Sequence, residues 1–340
     1  MRNSQPEGIG RVASFGDLVA WNNLGRNIVF ADRQLRPLAV FAATRFRDQD
    51  ELSQYDLDIH AVLAVPGGDI VLALNHLGLV RTFRRSHLAG LGGCHEVYPV
   101  TTSSFVADVE RAVVAGSRLV GSCPRSEGAI GLAVSEPLAA VVDDTLLGTD
   151  VIGEHLGEVT ALGAFAGGDA PLVVAGGPGQ VALVPVTGAT VGSPRWRVDL
   201  SFRAAVIEWD GRHVWVAGPA TASVVDDYEW DLLHGGGFVV LDPGDGAIVT
   251  AGSLPDDVAW GTGGVAVVRA GAVLCAVGRT GALHVLDMKT SSSWRSTPGL
   301  APCSLGIAHV AVASDKVLYG FNRGGYRLWA SPFGPPPTRR

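Results

Sequence analysis

The sequence repeats one short unit of apolar runs separated by tight turns, and this repetition limits the fold more than any other feature. The clearest copy spans residues 59–84 and reads IHAVLAVPGGDIVLALNHLGLVRTFR. Its runs are rich in Val, Ile and Leu, and Gly, Pro, Asn and Asp lie between them, which predicts three antiparallel strands joined by hairpins. One such unit cannot bury both of its faces, so the copies must pack against one another.

Seven copies of the unit can be aligned along the chain. They occupy residues 10–43, 59–84, 109–134, 159–186, 204–252 with an interruption, 265–287 and 307–330. Seven units in 340 residues give a mean period of about 49 residues, which fits a four-stranded propeller blade. A fourth strand is visible at 37–42, 195–199 and 247–251. We therefore predict an all-β fold, a seven-bladed β-propeller of four-stranded antiparallel blades, as one domain over residues 1–334 with a Pro/Arg tail at 335–340.

Two of the units resemble the blades of quinoprotein-like and YVTN-type propellers, which belong with the WD40-like repeat proteins. They are AVLCAVGRTGALHVLDMKT, residues 272–290, and GFVVLDPGDGAIV, residues 237–249. Both contain a strand that ends in Leu-Asp. This strand follows a glycine turn in the first unit and precedes one in the second. The resemblance implies the propeller fold. It implies no quinone cofactor, because the adjacent cysteine pair of the quinoprotein enzymes is lacking and their Gly-Lys and Trp docking motif occurs only in fragments, such as Trp196.

The net charge restricts the class of binding partner, and the cysteine content indicates the cellular compartment. The formal net charge of -7 argues against nucleic acid and against anionic membrane surfaces. The polar start, MRNSQPEGIG, lacks the apolar core of a secretory signal, and no apolar run reaches membrane-spanning length. The four cysteines are far apart, with no CxxC pair, which is typical of a reducing compartment. We therefore expect a cytoplasmic protein that binds neither nucleic acid nor membranes.

One side of the predicted ring carries the more varied loops. In an antiparallel blade with strands A to D, the B–C turns and the D–A crossings emerge on the same side, which we call the top face. The longest insertion, residues 219–236, lies there, and long loops in compact repeats usually carry function. The sequence thus predicts a binding module that presents its top face and central channel to a partner protein or a small ligand. Aromatic, Arg and polar residues of this face are the predicted binding residues: Asn75, Tyr228, Trp230, His234, Arg279, Asn322 and Arg323.

Acidic residues at the start of three consecutive A strands open a second hypothesis, that of an enzyme. Aligning the units brings Asp58, Asp108 and Glu158 to a similar depth near the top entrance of the channel. His60 shares a strand face with Asp58, because alternation on a strand has period two. Carboxylates in this geometry could hold Ca²⁺ or Mg²⁺, which prefer oxygen ligands. Alternatively, the carboxylates are strand-end charges paired with arginines of the top turns, such as Arg125, and no cofactor is then needed.

The chemistry of the enzymatic hypothesis would be that of a metal-assisted lactonase or lyase at the channel mouth. His60 or His76 would act as general base, since a neutral imidazole suits that role near pH 7. Arg279 or Arg323 would hold a substrate carboxylate. His213, His284 and His309 lie inside or at the start of strands, where hydrogen-bonded core histidines are more common than ligands. The motifs GxSxG, HExxH and the P-loop lysine motif are absent, and GGPGQ at 176–180 is predicted to be a hairpin turn.

Overall fold

Short antiparallel strands make up almost all of the described structure. The structure is a computed structural model that describes residues 13–23, 27–32, 34, 36–42, 59–75, 77–91, 95–105, 109, 111–124, 130–135, 137–138, 158–167, 170–188, 190–220, 235–258, 260, 265–268, 273–277, 282–288, 293–297, 307–313, 316–322 and 326–332. Within these residues one helix is present, the single turn α1 (Arg85–Leu88). No helix in this part of the chain is long and apolar enough to cross a membrane.

The strands of the first half of the chain form four sheets. The first sheet contains β1 (Ala13–Phe15), β2 (Leu18–Asn23), β3 (Asn27–Asp32), β4 (Pro37–Ala42) and β8 (His95–Glu96). The second contains β5 (Ile59–Ala64), β6 (Ile70–Asn75), β7 (Leu79–Arg84) and β9 (Thr101–Ser104). The third contains β10 (Arg111–Ala115), β11 (Arg118–Pro124) and β12 (Ile130–Val134). The fourth contains β13 (Ala161–Gly167), β14 (Ala170–Thr187), β15 (Thr190–Val191) and β16 (Trp196–Arg203).

The remaining described strands form three further sheets with the same antiparallel order. The fifth contains β17 (Val206–Trp209), β18 (Val214–Gly218), β19 (Gly237–Leu241) and β20 (Ile248–Ser253). The sixth contains β21 (Val265–Val268), β22 (Val273–Val277), β23 (Leu283–Asp287) and β24 (Arg295–Thr297). The seventh contains β25 (Ile307–Ala313), β26 (Lys316–Asn322) and β27 (Tyr326–Pro332).

The first strands of the sheets form a closed ring. In chain order β1 contacts β5, β5 contacts β10, β10 contacts β13, β13 contacts β17, β17 contacts β21, β21 contacts β25, and β25 returns to β1. The predicted all-β propeller fold is confirmed by this arrangement. The count of seven blades for the whole ring and the domain limits of 1–334 and 335–340 stay predictions.

Each apolar cluster of the core lies between two consecutive sheets, because the strands are apolar on both faces. Along β6, Val71 and Ala73 pack toward the first sheet, whereas Leu72 and Leu74 pack toward the third. This alternation has the period of two residues that a pleated strand imposes. It explains why the sequence shows continuous apolar runs at the strands instead of alternating polar and apolar residues.

Strand β14 contains the hairpin that the GGPGQ motif predicts. Its first part pairs with β13 and its second part with β16. A Cβ built on Gly176 would lie 3.8 Å from the carbonyl oxygen of Gln180. Residues four apart in a straight strand are about 13 Å apart, so the chain reverses here. Gly179 supports the reversal with a φ of 70°, a conformation that glycine adopts without steric cost.

The first sheet departs from the predicted four-stranded antiparallel blade. Strand β8 comes from the segment between β7 and β9 of the second sheet, and it pairs in parallel with β4. The backbone N–H of Val97 continues this contact by donating to the carbonyl oxygen of Val40 at 3.0 Å. The segment therefore ties the second sheet to the outer edge of the first.

Gly163 on β13 marks a close approach between the fourth and fifth sheets. A Cβ at this position would lie 2.4 Å from Cγ2 of Ile207 and 3.0 Å from its Cβ. We expect Gly163→Ala to lower the free energy of unfolding by about 1–3 kcal/mol, as overpacking of a core does. Chemical denaturation measures the change. Gly244→Ala is the control, because a Cβ there meets only the side chain of Asp242 on the surface. Equal stability of the two variants would contradict the close approach.

Asp210 organises the turn between β17 and β18. Burial raises the pKa of its carboxyl group, but hydrogen bonds from the N–H groups of His213, Arg212 and the Trp215 indole outweigh burial, so its pKa lies below the ordinary 3.8. These three bonds are each 2.7 Å long. A lowered pKa means that the carboxylate stabilises the fold above the unfolded-state pKa and that this contribution disappears as pH falls through the folded-state pKa.

We therefore expect Asp210→Asn to cost about 1–2 kcal/mol of unfolding free energy at pH 7 and much less below about pH 3. Denaturant melts of both proteins at several pH values measure the difference. Asp245→Asn, in an exposed turn where Asp245 accepts the N–H of Ala247, serves as the control and should cost less than about 0.5 kcal/mol. A cost for Asp210→Asn that does not change with pH would contradict the role of the carboxylate.

Candidate functional site

Most of the predicted site residues lie outside the described part of the chain. These are Asp58, His76, Asp108, Tyr228, Trp230, His234, Arg279 and Arg323. His60 lies in β5 where the register with β6 shifts between Ile59 and Ala61, and Asn322 ends β26; only the backbone of these two is described. The predicted meeting of Asp58, His60 and Asp108 with Glu158 thus stays a prediction. Described side chains are available for Asn75 and Glu158.

Asn75 closes the turn between β6 and β7. Its side chain is buried, and Oδ1 accepts the backbone N–H of Leu79 at 2.7 Å. Its carbonyl oxygen accepts the N–H of Gly78 at 3.0 Å, and Gly78 has a φ of 79°. An Asn with this bonding organises the hairpin itself, a role that sequence analysis did not assign to Asn75.

Glu158 lies directly before β13 on the top face, where it forms an ion pair with Arg203 at the end of β16. The Arg203 side chain is 2% exposed and the Glu158 side chain 34%. The arginine partner that sequence analysis suggested came from the top turns, whereas the actual partner comes from a D–A crossing. Because a buried guanidinium needs a nearby negative charge, the pair fixes the crossing against the start of the fourth sheet.

Further hydrogen bonds join three consecutive sheets at this edge. Nε of Arg111, on β10, donates to the carbonyl oxygen of Thr160 at 2.9 Å. The Thr160 hydroxyl donates to the carbonyl oxygen of Ala204, and the N–H of Ala204 donates to the carbonyl oxygen of Gly177 at 3.0 Å. The top edge of the third, fourth and fifth sheets is thus held by a polar network. Of these residues only Gly177, in the GGPGQ turn, belongs to a motif that sequence analysis singled out.

The insertion at 219–236 is attached to the top face through three glycines, which we call the glycine neck: Gly218, Gly235 and Gly236. A Cβ on Gly218 would lie 1.6 Å from the carbonyl oxygen of Arg203, and one on Gly236, at φ 122°, would lie 2.1 Å from the carbonyl oxygen of Gly218. Only glycine fits such close approaches of one backbone to another. The two ends of the insertion are therefore held against each other and against Arg203.

Segment 254–258, between the fifth and sixth sheets, holds the other side of the glycine neck. The N–H of Leu254 donates to the carbonyl oxygen of Gly236 at 2.9 Å, and the N–H of Gly235 donates to that of Val258 at 3.2 Å. The indole N–H of Trp260, whose side chain is fully buried, donates to the carbonyl oxygen of Gly235 at 2.5 Å. The base of the insertion is accordingly part of the rigid fold.

A second polar group lies where the same segment meets the sixth sheet. Nδ1 of the buried His284 is 2.7 Å from Oγ of Ser296, and its Nε2 is 2.9 Å from Oδ1 of Asp257. The Nε2 contact is poorly directed for a hydrogen bond, and this atom has no other hydrogen-bond partner among the described residues. Ser296 is exposed and Asp257 is partly exposed. The expectation that His284 is a hydrogen-bonded strand residue agrees with these contacts, but its two partners were not predicted.

Arg81 is a buried cation between the first and second sheets. Its guanidinium carbon lies 5.5 Å from the ring centre of Phe41. Burial lowers the pKa of Arg81 to about 10. Its Nη1 atom has no hydrogen-bond partner among the described residues, so the aromatic ring is the contact that compensates part of its desolvation.

Of the three proposed metal ligands Asp58, Asp108 and Glu158, only Glu158 has a described side chain. No group of three or more His, Cys, Asp or Glu side chains within the described ranges could hold an ion. The carboxylate of Glu158 already faces Arg203, whose positive charge opposes a bound cation.

The ring of antiparallel sheets defines an all-β propeller, and a polar network joins its third, fourth and fifth sheets at one edge. One similar solved structure is a chain in the crystal structure of a mitotic checkpoint complex, with a TM-score of 0.64 and 12% sequence identity over 97% of this chain and 89% of that chain. No protein-family model matches this sequence, and no curated protein matches it. At this identity the likeness shows the fold alone, and function has to be argued from the site.

The ion pair gives a stability prediction. Glu158→Gln leaves the Arg203 guanidinium buried beside a neutral partner, and we expect it to lower the free energy of unfolding by about 2 kcal/mol. The control is Arg85→Ala, which breaks the exposed pair of Arg85 with Asp17 and should cost less than about 1 kcal/mol. Denaturant melts compare the two. A loss for Glu158→Gln no larger than that of the control would show that the pair does not hold the crossing.

Proposed function

We propose that this propeller binds a partner protein through its top face, with the insertion at 219–236 at the centre of the interface. The observation that carries the proposal is the glycine neck, which holds both ends of the insertion against the rigid fold. A loop on a fixed base loses less conformational entropy on binding than one on a mobile base, which favours affinity.

The composition of the insertion suits a protein interface. It contains Tyr228 and Trp230, and aromatic residues dominate the binding energy of such interfaces. Its acidic residues, with the net charge of -7, favour a partner with a basic surface over nucleic acid or an anionic membrane. The similar chain of known structure is itself part of a protein complex, which is in keeping with this use of the fold.

The proposal includes two more detailed predictions from the sequence, further contact residues and a cellular location. Arg279, Asn322 and Arg323 would extend the interface, or hold a small ligand, around the channel mouth, whereas the buried side chain of Asn75 holds its own turn. A cytoplasmic location accompanies the binding role as a prediction from the sequence. The metal-assisted lactonase or lyase, with Asp58, Asp108 and Glu158 around Ca²⁺ or Mg²⁺, is the weaker alternative because Arg203 engages Glu158.

Exchange of the insertion tests the binding role. A variant in which residues 221–234 are replaced by a short Gly/Ser linker keeps the glycine neck. A partner is first identified by crosslinking to the wild-type chain and then purified for affinity measurements. We expect the exchange to weaken this partner's affinity at least about tenfold, since hot-spot aromatics each contribute 1.4 kcal/mol or more.

The matched control lies on the opposite face of the same blade. Arg212→Ala changes an exposed residue of the β17–β18 turn and should leave the affinity unchanged. Thermal melting confirms that both variants are folded. An unchanged affinity for the insertion exchange, or an equal loss for Arg212→Ala, would exclude the insertion as the centre of the interface.

A further inference from the structure

A hydroxyl, an imidazole and a carboxylate lie next to one another where the sixth sheet meets segment 254–258. We propose that Ser296, His284 and Asp257 form a nucleophilic serine site that accepts acyl groups from small carboxylic esters. The Oγ–Nδ1 distance of 2.7 Å and the Nε2–Oδ1 distance of 2.9 Å are those of a serine activated by a histidine that a third group orients. This activity goes beyond the proposed protein binding and does not depend on it.

The fold holds these three residues together through strand register and a blade crossing. His284 on β23 and Ser296 on β24 are direct partners in the antiparallel register, so their side chains lie on the same face of the sheet. Asp257 comes from the crossing before the sixth sheet, whose neighbour Val258 is bonded to the glycine neck. Each residue is therefore positioned by a part of the structure with its own backbone hydrogen bonds.

The three side chains differ in solvent exposure, and a nucleophilic site requires such a difference. Ser296 is exposed, so a small ester can reach Oγ from solvent. The imidazole of His284 is buried and contacts Ser296 through Nδ1, while the Asp257 carboxylate lies close to Nε2. The carboxylate near Nε2 favours the tautomer with hydrogen on Nε2, which leaves Nδ1 free to accept the Ser296 proton. The Nε2 contact is poorly directed, as such contacts often are before a substrate binds.

The proposed ester hydrolysis has two steps, and water is its only co-reactant. Oγ of Ser296 attacks the ester carbonyl carbon while its proton passes to Nδ1 of His284, and the alcohol leaves with that proton when the C–O bond breaks. Water then attacks the acylated serine, gives a proton to Nδ1 and releases the carboxylic acid, and Oγ recovers its proton. Asp257 acts as a positioning residue, because it stabilises the imidazolium without touching the substrate.

Labelling of the full chain with a fluorophosphonate probe tests the site. The serine oxygen forms a bond to phosphorus as fluoride leaves, and peptide mass spectrometry locates the adduct. We expect folded wild-type protein to be labelled at Ser296, and Ser296→Ala to lose that label. His284→Asn should slow labelling at least about 100-fold, the usual effect of a general base. Ser253→Ala, another exposed serine at the top of the neighbouring sheet, is the control and should label like the wild type.

Variants of Asp257 separate positioning from a structural role. Asp257→Asn should slow labelling about tenfold or more, and Asp257→Glu should restore part of the rate, while thermal melting shows each variant to be folded. If His284→Asn does not fold, the two Asp257 variants and Ser296→Ala still decide the matter. The proposal is overturned if folded wild-type protein is not labelled at Ser296, if other exposed serines are labelled as fast, or if folded Asp257→Asn labels at the wild-type rate.

Discussion

Packing of one sheet against the next is the interaction on which the rest of this structure depends. The second to fifth sheets each contribute buried apolar residues to two clusters, one on each face, as the alternation along β6 shows. Burying a large apolar side chain contributes about 1.5–3 kcal/mol, and each of the five assigned clusters contains eight or more of them, so an uncovered face would be very unfavourable. The contact of β25 with β1 is therefore a requirement of the fold, since it covers the two sheets at the ends of the chain.

The same constraint decides where polar chemistry can occur. Sheet faces are occupied mostly by apolar contacts, with Arg81 as an exception, and several buried polar side chains lie at strand ends and blade crossings. Arg203, Glu158 and Thr160 lie near one such crossing, and Asp257 lies at the next described one, where it faces His284 of β23. Charges at these positions are paired or hydrogen-bonded because an unpaired charge costs far more inside a fold than in water. The functional candidates are accordingly products of the crossings between blades.

Sequence reasoning predicted the hairpins well because their cause is local. Short Val- and Leu-rich runs make strands, and residues such as Asp210 and Gly179 make turns through their own bonding and φ angle. Strand β8 was missed because its segment lacks an alternating pattern and pairs only through its contact with another blade. Arg203 was missed for a related reason: its partner Glu158 is 45 residues away, and no spacing in the sequence connects them. Ser296 was missed because β24 was not predicted, so its pairing with His284 on β23 was not expected. The predicted residues of the insertion lie outside the described residues.

Segment 254–258 connects the two functional proposals physically. Its backbone holds the glycine neck through Leu254 and Val258, and its side chain Asp257 contacts His284. Residues 256–258 are consecutive, so a shift of the neck by more than a fraction of an ångström changes the carboxylate position as well. Close packing transmits such shifts because a dense interior has no free volume to absorb them. A partner that moves the neck would therefore also change the contact between Asp257 and His284, whereas a partner that leaves the neck in place would not.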